Sequence, residues 1–332
     1  MPPAVRRSLP AIVVLAGALA LPAVALADTG SAGLSPIDPS SENANGISAI
    51  WWFVLAWAGV IFLIVTVPLV VFIVRYRSNG RSRHDEGPQV HGSVRLELAW
   101  TAFPIAVIII LGAFTFWKLG DVNDPAGAAG SPGEVLVQGR QFYWQFVYPN
   151  GAISINDLYL PADRVTSLKI TAPVNDVIHS FWAPELGPKR DAIPGRVNTL
   201  KLKPLDEGSY VIRCAELCGL QHAVMDGTVT VVSEPAYQSI VDRLAAAQKT
   251  ATGRKALGKQ LFEGACATCH GLEGQGLVGP ALGGVAGNVA TVTRVVRDGG
   301  VTMPAVGQGW SDAELSALTA YLADRFPTGG GG

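Results

Sequence analysis

"CAELCGLQHAVM" occupies residues 214–225 and brings two cysteines, a histidine and a methionine together in a chain of 332 residues that has only 4 cysteines, 3 methionines and 5 histidines. Two chemistries compete for it. A disulfide between Cys214 and Cys218 uses two of the four groups and leaves His222 and Met225 idle; a metal uses them all. Zinc accepts cysteine and histidine, but a thioether is a poor zinc ligand and the spacing is not that of a paired CxxC site. Soft thiolate and thioether beside imidazole suit copper. A mononuclear blue-copper site takes one thiolate, two histidines and a weak axial methionine, so the second cysteine is one too many. Two bridging thiolates would instead hold two copper ions sharing one unpaired electron, which keeps bond-length change on reduction small. Such a pair needs a second imidazole. His84 and His91 fall in a segment read below as cytoplasmic and His270 belongs to another motif, which leaves His179 in "NDVIHSFWAPELGPKRDAIPGR". Taken alone, His179 would read as an ordinary packed histidine.

The surroundings of the motif narrow the classes. The chain is 49% hydrophobic and 15% charged, long enough for two or three domains and too apolar to be soluble throughout. Its net charge of -1, with both signs spread along the chain, gives no basic footprint and excludes nucleic acid as a partner. Arg6 and Arg7 precede an apolar run at 11–20, and Ala25-Leu26-Ala27 fits a small-x-small cleavage pattern, so residues 1–27 read as a secretory signal peptide, the alternative being an uncleaved third span. Two longer apolar runs, 48–74 and 98–117, are each long enough to cross a hydrocarbon core of about 30 Å. Pro68 and Pro104 are tolerable in such spans, and Trp51, Trp52, Trp100 and Trp117 lie toward their ends. The connection holds Arg75, Arg77, Arg81, Arg83 and Arg95, whereas residues 28–47 hold no Lys or Arg and only Lys118 directly follows the second span. The positive-inside rule makes the connection cytoplasmic and everything beyond Trp117 extracytoplasmic.

From about 133 to 233 the chain reads as short strands. "EVLVQGRQFYWQFVY", "VTSLKITA", "RVNTLKLKPL", "GSYVIRC" and "DGTVTVVS" are rich in Val, Ile, Thr and aromatics, with Pro149-Asn150-Gly151 and Asp206-Glu207-Gly208 as turns. This suits a Greek-key sandwich or barrel and puts the opening stretch in a loop between two strands. Residues 241–255, "VDRLAAAQKTATGRK", show no apolar face long enough for a core and read as a partly helical linker. Then comes "CATCH" at 266–270, the spacing of c-type haem attachment: Cys266 and Cys269 add to the vinyl groups and His270 reaches the iron. A thioredoxin-like dithiol or half a zinc site leaves His270 unexplained. Met303 in "GGVTMPAVG" is the one methionine downstream, and a Met-His haem is an electron carrier of raised potential. "SDAEL" at 311–315 is a capping box opening the last helix, whose Tyr321 could pack near Gly258 and Phe262.

Taken together, C-x-E-x-C-G-x-x-H-x-x-M, "DVIHSFWAPELGPKRDAIPGR", "QFYWQF" and the two spans resemble subunit II of the haem-copper cytochrome c oxidases over residues 48 to about 235. The resemblance implies a dinuclear CuA centre on a cupredoxin fold. Cys214 and Cys218 would bridge the coppers, His179 and His222 would each bind one, Met225 would be a weak ligand and Glu216 would give its backbone carbonyl, its side chain facing a magnesium site shared with subunit I. "ELAWTAFP" is similar to the family's second span, with Glu97 near the cytoplasmic mouth of a proton path in subunit I; a paired or snorkelling interfacial carboxylate is the plainer reading. Phe142 stands where the family has a Trp at the point of electron entry from a docked cytochrome c, a departure that weighs against a separate soluble donor. Residues 253 to about 327, with "GPAL" at 279–282 and Pro280 seating the proximal histidine, resemble class I cytochromes c.

The expected fold is therefore multi-domain: two transmembrane helices, an all-β cupredoxin-like Greek-key domain and a small all-α cytochrome c domain. The expected division is signal 1–27, extracytoplasmic segment 28–47, spans 48–75 and 95–118, cytoplasmic connection 76–94, CuA domain 119–235, linker 236–252 and cytochrome c domain 253–328. The whole resembles a caa3-type subunit II in the plasma membrane. Electrons would pass from its haem to CuA and on to subunit I, where oxygen is reduced with proton pumping; this chain has no histidine set for an oxygen site. Subunits I and III, the lipid bilayer and an upstream bc-type complex or cytochrome c are the implied partners. Fusing the donor would raise its effective concentration at CuA to roughly millimolar. The alternatives are the CuA-bearing subunit of a nitric oxide reductase and a copper chaperone or sensor, which would have no need of a fused haem.

Overall fold

A computed structural model of the chain describes residues 35–77, 89, 91–127, 133–284 and 286–327. The stretch expected to be a signal peptide, 1–27, and most of the expected connection at 76–94, with Arg81, Arg83 and His84, lie outside the described residues.

Helix α1 (Glu42–Arg75) and helix α2 (Val94–Asn123) contain the two apolar runs. At 34 and 30 residues they exceed the roughly 20 needed to span a bilayer. Pro68 and Pro104 sit inside them, and side chains such as Phe62, Ile73, Ile108 and Phe116 are exposed, as lipid-facing residues should be. Phe53 and Phe114 stack with ring centroids 4.0 Å apart and pair the two helices. Each helix outruns its apolar run, because hydropathy marks only the lipid-crossing part. The polar first turn of α1 is tied instead to the β domain: Asn43 Nδ2 donates to the carbonyls of Val122 (2.7 Å) and Lys201 (2.8 Å), and Glu42 pairs with Lys203 at 2.8 Å.

The β domain is a cupredoxin-like sandwich of two five-stranded sheets. One runs β3 (Ile153–Ile155), β2 (Tyr143–Val147), β1 (Glu134–Arg140), β5 (Thr166–Thr171), β8 (Asn198–Leu202). The other runs β4 (Asp157–Pro161), β10 (Asp226–Val232), β9 (Gly208–Cys214), β6 (His179–Trp182), β7 (Arg190–Ala192). Strand β1 is parallel to β5 and β10 is parallel to β4, so neither sheet is a plain meander. Alternating residues of both inner faces make one core, in which Trp144 meets Phe181 edge-on at 5.5 Å among Leu158, Leu168, Leu200 and Val229. "EVLVQGRQFYWQFVY" is two strands, β1 and β2, turning at Gln141 and Phe142.

The stretch read as a linker is largely ordered. Helix α3 (Glu234–Gln248) buries Tyr237 and Val241 in the sandwich core, and Tyr237 lies 6.4 Å from the Tyr148 ring. Two apolar residues four apart form a sufficient stripe on a short helix, too sparse to stand out in an Ala-rich sequence.

Helices α4 (Ala251–Ala265), α5 (Ala267–His270), α6 (Val289–Asp298) and α7 (Asp312–Arg325) form the C-terminal domain. Ser311 and Glu314 make the reciprocal capping box that opens α7. Helices α4 and α7 cross where Gly258 faces the Ala317 carbonyl; a methyl on Gly258 would come within 2.0 Å of that oxygen. Phe262 lies 5.6 Å from Tyr321 and 5.8 Å from Phe326. This core is continuous with the sandwich: Tyr143 and Ile155 belong to the apolar cluster of Leu261, Phe262 and Leu318, and Gly264 packs against both.

Candidate copper and haem centres

Strand pairing assembles the first centre. Cys214 ends β9 and Met225 precedes β10, which pairs antiparallel with β9, so the loop between them is pinned at both ends. Strand β6 pairs with β9 at Phe181 and Cys214, which sets His179 beside the cysteine. Gly139 on β1 lets the imidazole in, since a methyl there would stand 2.9 Å from the His179 Cβ. The ligand atoms of His179, Cys214 and Cys218 all lie within 4.8 Å of one another, and all three residues are buried. Cys218 Sγ is 3.7 Å from Cys214 Sγ, 3.7 Å from His222 Nδ1 and 3.8 Å from the Sδ of the fully buried Met225. The Glu216 carbonyl is 3.2 Å from Cys214 Sγ. All six residues singled out in the sequence converge.

The electrostatics suit a soft cation. His179 Nε2 lies 3.1 Å from Asp176 Oδ1, and its Nδ1 is buried without a hydrogen-bond partner. A carboxylate behind the imidazole fixes its orientation and leaves the other nitrogen for a metal. Burial pulls the His179 pKa down, but Asp176 and the neighbouring Cys214 outweigh it and raise it. Burial likewise raises Cys214, yet contacts with His179, with the main chain at Ser180 and Glu216 and with His222 bring it down to about 6. Cys218 is pushed up to about 12 by burial and by Cys214 beside it. Two thiols, two imidazoles and a thioether around one point form a donor set that fits copper.

The parts played by Asp176 and Gln141 were missed in the sequence. Gln141 Nε2 donates a 2.6 Å hydrogen bond to the Cys218 carbonyl, and Gln141 N approaches Asp176 Oδ2 at 3.3 Å. Both lie in stretches quoted above, but neither side chain's role shows in the local pattern: the β1–β2 turn brings Gln141 to the loop, and the residues leading into β6 bring Asp176 behind His179.

The second centre is a cavity of about 370 Å³ lined by Cys266, Cys269, His270, Pro280, Met303 and Phe142 among others. His270 Nδ1 donates to the Pro280 carbonyl at 2.7 Å, leaving Nε2 free to ligate. Gly279 lies so close to that ring that a methyl would meet it at 2.8 Å. Burial pushes the Cys266 thiol up to about 12. Two thiols, a tautomer-fixed imidazole and a thioether on one cavity fit a covalently held haem with His and Met as axial ligands. Phe142 and Gln141 belong to the same wall, so the turn that touches the copper loop also touches the haem cavity. Glu97 is an exposed residue in the first turn of α2.

Comparisons with known proteins follow the same division. The model of the cytochrome c oxidase subunit II transmembrane domain matches residues 30–118, that of its periplasmic domain residues 152–232, and that of cytochrome c oxidase, cbb3-type, subunit III residues 253–322. Cytochrome c oxidase subunit 2 of Alkalihalophilus pseudofirmus is 31% identical over 316 residues, covering 88% of this chain and 91% of that one. The Bacillus subtilis protein of the same name is 31% identical over 274 residues, 77% and 75% of the two chains. Among solved structures, the periplasmic domain of subunit II of cytochrome oxidase of Bradyrhizobium japonicum matches 35% of this chain and 96% of its own at 29% identity, with a TM-score of 0.34. With all three of its parts matched and named relatives aligned over most of its length, the chain belongs to the cytochrome c oxidase subunit II family, in a form that carries a cytochrome c domain.

Proposed function

We propose that this chain is the electron-transfer subunit of a terminal respiratory haem-copper oxidase of the plasma membrane. It delivers electrons from its own cytochrome c domain through its cupredoxin domain to catalytic subunit I, where oxygen is reduced to water with proton pumping. The observation that carries this reading is the shared wall: Gln141 and Phe142 line the haem cavity, and Gln141 also holds the carbonyl of Cys218. When bound, two copper ions and one haem c would supply one-electron redox chemistry. Cys214, Cys218, His179, His222, Met225 and the Glu216 carbonyl hold the copper pair; Cys266, Cys269, His270 and Met303 hold the haem. Asp176 keeps His179 in one orientation, and the Pro280 carbonyl does the same for His270. Burial of His179, Cys214, Cys218 and Met225 in one set, and of Cys266 and His270 in the other, keeps water from much of each and limits rearrangement on electron transfer.

Within this reading the Glu216 side chain contributes to a magnesium site at subunit I, Glu97 serves the mouth of a proton path, and the signal and domain limits stand as given from the sequence. Subunit III and an upstream bc-type complex or cytochrome c complete the partners. Phe142 lines the haem cavity and its ring lies beside Gly219 of the copper loop, which supports electron entry by way of this turn even though the aromatic is not a Trp. Electron paramagnetic resonance of the oxidised complex tests the copper assignment. A mixed-valence pair gives hyperfine splitting from two equivalent copper nuclei, whereas a single-copper pattern removes it.

A further inference from the structure

Arg140 ends β1 and is 4% exposed, yet it forms no ion pair among the described residues. Its Nη2 donates to Gln138 Oε1 at 2.9 Å and, across the domain boundary, to the Gly309 carbonyl at 3.3 Å. Its Nε is buried without any partner. Leaving a buried guanidinium without an anion is costly, and removing the partner of a buried charge is among the more destabilising changes known. Two neutral carbonyl oxygens do not balance it.

The group faces a cavity of about 290 Å³ between the sandwich and the segment after Met303, lined by Gln138, Arg140, Pro173, Val174 and Gly309 among others. Asn175, Asp176, Ala305, Val306 and Gln308 line both this cavity and the haem cavity, so the two adjoin. Asp176 is the one carboxylate on the lining, and its oxygens are already engaged by His179 Nε2, Val177 N and Gln141 N. What the site lacks is a carboxylate arriving from the haem side, and a haem carries two on its propionate arms. A guanidinium fork matches a carboxylate in geometry and charge.

We propose that Arg140, a residue of the cupredoxin domain, binds a propionate carboxylate of the haem c held by the C-terminal domain. The contact would tie the haem itself, and not only its polypeptide, to the domain that accepts its electrons. A cation at that place also disfavours the oxidised haem, whose net charge is one unit more positive than that of the reduced form. The proposal rests on the haem reading above.

The test is a redox titration of haem c in the intact complex, followed by its visible absorbance. In Arg140→Gln the reduction equilibrium should shift about tenfold toward the oxidised form, about 59 mV for one electron, while Arg140→Lys recovers most of the shift. Redox-difference infrared spectra should show the propionate carboxylate band moved in both variants, a readout that a purely structural arginine would not change. A haem potential within twofold of the parent in Arg140→Gln, with haem still attached, overturns the proposal. So does a parent potential that follows added inorganic phosphate, which would mean a free anion fills the site. Absence of covalent haem from the parent chain would instead remove the haem reading itself.

Discussion

The indole Nε1 of Trp310 donates a 2.7 Å hydrogen bond to the phenol oxygen of Tyr143, and both side chains are buried. Tyr143 belongs to β2 of the sandwich and Trp310 to the residues leading into α7, so the bond joins the sandwich to the C-terminal domain. Burial holds the Tyr143 phenol well above the ordinary tyrosine range, so it stays neutral. Tyr143→Phe strands the indole N–H and should cost about 1–3 kcal/mol; removing both polar groups leaves nothing stranded. The double variant Tyr143→Phe/Trp310→Phe is therefore expected to lose less stability than the two single changes added together. Denaturant melts of the four proteins measure this, and strictly additive losses would show that the bond does not couple the domains.

Asp176 holds His179 from behind, and an outer carboxylate of that kind commonly changes metal affinity 10- to 100-fold. Asp176→Ala should weaken copper binding by a factor in that range, read by competition with a chromophoric copper chelator. Haem attachment should be unaffected. Parent-like copper affinity would mean that packing against Trp144, 6.2 Å away edge-on, already fixes the ring.

The two ligand sets were legible because both are mostly local. Cys214 to Met225 and Cys266 to His270 are short runs whose chemistry shows in their spacing, and His179 followed by elimination among 5 histidines. The groups behind them were not legible. Asp176, Gln141 and Arg140 act through the β1–β2 turn and the β6 edge, and nothing in a polar residue's own neighbourhood announces a partner 77 positions away, as Gln141 has in Cys218. Fold reading failed in the same way at short elements. Strands β3 and β7 have 3 residues each and β6 has 4, too few to show a period. Strand β6 nonetheless carries His179 to Cys214.

The crossing of α4 and α7 makes a separate demand on the haem domain. A methyl at Gly258 would lie 2.0 Å from the Ala317 carbonyl oxygen and 2.9 Å from Tyr321 Cβ, so the helices must part. Overpacking of this kind costs about 1–3 kcal/mol, and the upper end applies because the clash is with backbone. Gly258→Ala should lower the thermal midpoint of the haem domain and reduce the yield of covalently attached haem. Gly283→Ala is the control, since a methyl there meets nothing within 4 Å. Equal behaviour of the two variants would contradict the close approach.

Gly219 follows Cys218 directly and has φ +127, a conformation costly to any other residue by roughly 1–3 kcal/mol. Space is short as well: a methyl would stand 3.0 Å from Gln141 Nε2 and 3.2 Å from the Phe142 ring. Gly219→Ala should therefore push the β1–β2 turn away from the copper loop, straining the bond from Gln141 to the Cys218 carbonyl, and alter the copper hyperfine pattern while haem stays attached. Gly151→Ala separates strain from contact, because Gly151 has φ +81 with nothing within 4 Å of an added methyl. It should lose stability through its backbone alone and keep the parent copper spectrum. A copper signal unchanged in Gly219→Ala would mean that the turn does not buttress the loop, and that the shared wall between the two centres contributes less to the copper geometry than its hydrogen bond suggests.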